Sequence, residues 1–142
     1  MSDTYNLQRF VEAQERVADQ VTRELRDGQK RSHWMWFVFP QVHGLGHSPM
    51  AQRYAIRSLE EAKAYLEHPV LGKRLKDWTR IVVDVQGRSA EQIFGYPDYL
   101  KFRSCMTLFS RVPDADPVFS EALEKYYDGK PDDKTLRILG LA

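Results

Sequence analysis

The sequence has a single cysteine, Cys105, in 142 residues. One thiol makes no internal disulfide and cannot by itself build a cysteine-ligated metal site, so neither staple is expected. Such sparse use fits a reducing compartment. Long apolar runs are also missing. The stretch around residues 35–39 is far short of the roughly 20 residues that cross a bilayer. The first twenty residues are polar and charged, with no apolar segment of the secretory kind. These absences lead to the expectation of a cytoplasmic, bacterial-type protein with no membrane partner.

An excess of charge of one sign is the third thing lacking. Lys and Arg number 21 against 20 Asp and Glu, with 9 and 9 in residues 1–71 and 12 and 11 in the remainder. A balanced chain has no global field to attract a polyanion, so a nucleic-acid partner is not expected. The length suits one domain, 1–142, able to bury a core without metals.

The apolar spacing is helical almost throughout. Leu7, Phe10, Val11, Val17, Ala18, Val21 and Leu25 predict one amphipathic helix over 7–26, with Gln14 the polar intruder on its stripe, Asp3 or Asn6 as a cap and Gly28 as the stop. Residues 33–39 predict a buried helical turn or two, with Ser32 as N-cap and Pro40 as terminator. Ser48-Pro49 predicts a short helix to about residue 57. Ser58-Leu59-Glu60-Glu61 and Ser89-Ala90-Glu91-Gln92 read as capping boxes. Pro69 predicts the first turn of a helix to about residue 85. Further helices are expected over 98–110, from Asp116-Pro117 to about 128, and from Asp133 or Thr135 to about 139. No segment has the alternation of a half-buried strand. The expected fold is all-α, a compact multi-helical single domain with short connections.

Three constellations are candidates for chemistry. The run from His33 to Phe39 holds Trp34 and Trp36, with Gln41 and His43 following. Its side chains point in every direction from a helical turn. Either the run is a core turn, or it walls a pocket for a planar ligand with polar groups at the mouth. Gly44, Gly46 and Ser48, with Arg53 one turn on, offer backbone donors and a guanidinium to an anion. The alternative is a plain loop and N-cap, since the glycine pattern is incomplete. Asp98, Lys101 and Ser104 lie at helical spacing and present an acid, a base and a hydroxyl on one face. Such a face is either catalytic or a solvated surface pair. No cofactor or metal is expected: His43 and His47 have the i, i+4 spacing of ligands, but the glycines between them argue against a helix.

Beyond the residues taken singly, the whole pattern resembles the bacterial domain-of-unknown-function family 1810. The resemblance rests on residues 9–14 (RFVEAQ), 33–41 (HWMWFVFPQ), Gly44-Leu45-Gly46, 65–72 (YLEHPVLG), Ile93-Phe94-Gly95, and Asp98 with Lys101, Phe102, Ser104 and residues 106–109. It covers nearly the whole chain and implies an all-α fold. It brings no activity and no catalytic residues. Proteins of this family are often labelled calpastatin, a disordered inhibitor, which does not fit a chain with a patterned core. Cys105 stands where the family pattern leads one to expect a second serine.

Two functions follow. The first is a pocket for a small anionic or planar ligand, with hydrolysis of nucleotide-like or phosphorylated compounds as its catalytic version and Asp98, Lys101 and Ser104 as its machinery. The alternative is a non-catalytic module that binds a protein partner or a second copy, with Phe119, Tyr126 and Tyr127 adding to an aromatic patch.

Overall fold

A computed structural model describes residues 3–141. Its elements are α1 (Gln8–Glu15), α2 (Ala18–Arg26), α3 (Met35–Val38), α4 (Pro49–Arg53), α5 (Leu59–Glu67), α6 (Leu71–Asp84), α7 (Ala90–Phe94), α8 (Asp98–Ser110), α9 (Val118–Tyr127) and α10 (Asp133–Ile138). Among the described residues there is no strand. One isolated parallel bridge joins Val42 to Ile56, through His43 N–H to the Ile56 carbonyl and Ile56 N–H to the Gln41 carbonyl. The all-α expectation is met. No described helix is long and apolar enough to cross a membrane.

The core is one contiguous cluster centred on α8. Phe102, Cys105, Met106, Leu108 and Phe109 are fully buried there, enclosed by α5, α7, α9 and α10. The α6 helix packs between α2, α5 and α9. Rings knit these layers: Phe39 meets Phe94 and Phe102 edge-on, and Phe10 meets Tyr65 in the same way.

Several local signals operate as expected. Asp3 accepts from Leu7 and Gln8 N–H, Ser48 from Ala51 N–H, and the Ser89–Gln92 capping box is complete. Other expectations need correction. The single helix over 7–26 is broken at Arg16-Val17, because its halves serve different neighbours. The α1 helix packs on α3, whereas α2 turns to α6, where the Trp78 indole donates to Thr22 Oγ1. Ser32 does not cap α3; it bonds the Glu24 carboxylate instead. Glu61 accepts from Arg57 N–H and Arg9, so the Ser58 box is only half formed. Pro69 lies outside α6, whose first N–H groups are met by His68 Nδ1. The α4 helix ends at Arg53, short of residue 57, where Ile56 enters the bridge.

Candidate functional site

The α8 helix brings its exposed first turns against the loop 41–47, and α10 closes the third side. Each contact has a local cause. The Val42–Ile56 bridge fixes the loop at its root. Gly46 presses on α4 so closely that an added Cβ would stand 2.6 Å from the Ala51 Cβ, a spacing only glycine permits. The α10 helix is tied down by Asp132 N–H, which donates to Thr107 Oγ1, and by Arg103, which donates to the Lys130 and Pro131 carbonyls.

Between these three elements lies an open cleft of about 520 Å³. Leu45, Pro97 and Leu100 give it apolar surface, and Gln41, Gly46 and Ser104 line it too. Its charged lining is Lys101, Arg103, Lys134 and Arg137 against Asp132 and Asp133. Asp132 is already engaged as the N-cap of α10, through Thr135 N–H and Oγ1. Lys134 and Arg137 have no ion-pair partner among the described residues. A pit with about 10 Å³ of water-sized space, enough for one water, lies beside the cleft. Met35, Trp36, Phe39, Ala51 and Tyr54 wall it, and Gln41 and Lys101 are shared by both cavities.

The cationic character is fixed from beneath. Asp98 Oδ2 stands 2.9 Å from Lys30 Nζ, and Asp98 Oδ1 stands 3.4 Å from Lys101 Nζ. Each ammonium also sits over an indole: Lys30 over Trp34 at 5.2 Å and Lys101 over Trp36 at 5.4 Å. One carboxylate shared by two lysines leaves the triad with one net positive charge, and Lys101 delivers it to the cleft wall.

The residues singled out in the sequence therefore separate. Gln41, Gly46, Lys101 and Ser104 meet in the cleft, Trp36 lines the pit and Asp98 supports Lys101. Ser104 is buried and its hydroxyl donates to the Leu100 carbonyl, so its proton is held within its own helix. Trp34 is wholly in the core, its Nε1 bonded to Glu24 at 3.0 Å. His33, His43 and Gly44 are exposed and line neither cavity, although Gly44 approaches Ile138. Ser48 caps α4. Arg53 lines a different cleft on the far side of that helix. The aromatic run is thus mostly core, with Trp36 its half-buried exception. The expected patch at Phe119, Tyr126 and Tyr127 does not form. Phe119 is fully buried, and the tyrosine hydroxyls donate to the Val82 and Tyr99 carbonyls.

Sequence reasoning missed Lys30, Arg103, Lys134 and Arg137. Lys134 and Arg137 are one turn apart on α10, a spacing visible in the sequence. Only the docking of α10 on α8 gives that face a cleft to line.

The pattern that defines a family described as protein of unknown function, DUF1810, matches residues 4–139. The crystal structure of the conserved hypothetical protein Rv1873 from Mycobacterium tuberculosis is similar over 99% of this chain and 100% of that one, with 56% identity and a TM-score of 0.96. No functionally curated protein matches the chain.

Proposed function

The chain belongs to the DUF1810 family of proteins of unknown function, and from that premise we propose that it binds a small anionic ligand in the cleft between α8, α10 and the loop 41–47. One observation carries this reading: four cationic side chains face two carboxylates in that cleft, and one of the two is spent as a helix cap. The surplus is local, as the balanced composition requires. Its volume falls within the range of small-molecule sites. Gln41 stands at the shared wall of cleft and pit, where its amide can meet a polar group of the ligand. Leu45, Pro97 and Leu100 supply apolar surface for a planar portion.

The arrangement favours binding over hydrolysis. Ser104 is hydrogen-bonded to its own helix backbone, and no described base stands in hydrogen-bond contact with it. A partner surface is the second reading, favoured by the exposed Tyr96 (75%) and by Leu100 (39% exposed), which lines the cleft.

Calorimetric titration at low salt with AMP, ribose 5-phosphate and pyrophosphate tests the proposal. At least one ligand is expected to saturate, with affinity falling tenfold or more in Lys134→Ala/Arg137→Ala. Absence of saturable binding to the whole panel, or binding indifferent to that double variant, would overturn it. Loss of a concentration-dependent dimer in Tyr96→Ala, without ligand binding in the parent, would favour the partner reading.

A further inference from the structure

We propose a second, independent anion site on the opposite side of α4, one that takes the phosphate group of a phosphorylated polyhydroxy compound. It is a cleft of about 460 Å³ between the N-terminal turn and α4. Ala51 faces the pit, whereas Gln52 and Arg53 face this cleft, so the short helix is the wall between them.

Its floor is rigid and electrically settled. All five donor positions of Arg9 are used: Nε to the Arg53 carbonyl, Nη1 to the Tyr5 and Asn6 carbonyls, and Nη2 to the Ala55 carbonyl and Glu61 Oε2. Glu61 is buried and its other oxygen accepts from Arg57 N–H. Asp3, the other acid felt by Arg9, gives both oxygens to the Leu7 and Gln8 N–H groups. Arg9 and Glu61 therefore cancel.

Arg53 and Arg57 remain. Both line the cleft, both are exposed, and neither has a carboxylate partner among the described residues. The Arg53 guanidinium lies over the Tyr54 ring at 5.5 Å, and the Arg9 clamp on its backbone carbonyl fixes where its side chain starts. Two unpaired guanidinium groups at one cleft match the charge and the fork geometry of a phosphate dianion. The remaining lining is the hydroxyl and amide groups of Thr4, Asn6 and Gln52 and the side chain of Tyr5. No aliphatic side chain lines it, and one aromatic residue beside hydroxyl and amide groups suits a sugar body, with a C–H face for the ring and hydroxyls for the polar groups.

The test is a titration of ¹⁵N-labelled protein at constant ionic strength with ribose 5-phosphate, inorganic phosphate and, as the uncharged control, ribose. Saturable shifts are expected at Asn6, Gln52, Arg53 and Arg57, with ribose 5-phosphate tighter than phosphate. Affinity at these resonances should fall tenfold or more in Arg53→Ala/Arg57→Ala, whose side chains are exposed and whose spectrum otherwise reports an intact fold. The Lys134→Ala/Arg137→Ala variant should leave them unchanged, which separates this site from the first cleft. Shifts that do not saturate, that chloride reproduces, or that survive the Arg53/Arg57 double variant would overturn the proposal. Equal affinity for inorganic phosphate would overturn the polyhydroxy assignment.

Discussion

Trp34 and Glu24 are both buried and are joined by a 3.0 Å hydrogen bond from the indole Nε1 to carboxylate Oε1. The same carboxylate accepts from Arg31 N–H, Ser32 N–H and the Ser32 hydroxyl. Four donors on one anion fold the 27–34 connector over the end of α2 and hold the first tryptophan of the aromatic run in the core. A sequence position that reads as an ordinary charged helix residue is thus a structural hub.

The hub has a pH signature. Burial of Glu24 raises its pKa, but the donors from Ser32, Arg31 and Trp34 outweigh burial and hold it at about 2, below its ordinary value of 4.5. A depressed carboxyl contributes stability that is fully present above pH 4.5 and is lost as pH falls toward 2. Urea denaturation between pH 6 and pH 2 should show a decline on the order of 3 kcal/mol from this group. Glu24→Gln should lose about 2–4 kcal/mol at neutral pH and flatten that part of the profile. An unchanged slope in the variant would assign the acid sensitivity to other groups.

Cys105 is fully buried, and burial pushes its thiol well above the ordinary range. It packs as a small apolar residue in α8, which is why it can stand where a serine is expected. Iodoacetamide or a disulfide reagent at pH 8 should label it only as fast as the protein opens, and stoichiometrically in denaturant. Rapid labelling of the native protein would contradict this.

Ser104 and Asp98 make opposite contributions to the first cleft. Ser104→Ala removes a hydroxyl already bonded to the Leu100 carbonyl, so ligand affinity should stay within about twofold and stability within about 1 kcal/mol. Asp98→Asn leaves the partly buried Lys30 and Lys101 without their shared anion and should cost about 1–3 kcal/mol by thermal or urea unfolding. A Ser104→Ala variant that folds but loses binding would restore this hydroxyl to the ligand site.

Gly72 is the tightest backbone approach. A Cβ there would lie 2.0 Å from the Leu66 carbonyl oxygen, where the chain turns from α5 into α6. Gly72→Ala should destabilise by about 3 kcal/mol or more, since backbone on both sides must move. Lys73→Ala next to it, which removes only an exposed i, i+4 pair with Asp77, should change stability by less than about 0.5 kcal/mol in the same denaturation assay.

Neighbouring residues alone are enough to predict the helices and most of their ends. Ser48, Ser89 and Gly28 act through partners three residues away, so local spacing is enough to place them, whereas the cap at Asp132 was not singled out. The break at Val17 was illegible, because it depends on two neighbours, α3 and α6, that lie far along the chain. The aromatic run shows the same division. Its composition marked it as unusual, but which ring faces a cavity depends on how Lys30, Lys101 and Asp98 meet around Trp34 and Trp36, across a separation of about seventy residues. The candidate clefts are likewise tertiary. Near-neutral composition gave no hint of charge, and only the docking of α10 on α8, and of Arg9 beneath α4, concentrates cations in two places. A helix follows from neighbours in sequence; a site follows from the burial that brings distant side chains to one wall.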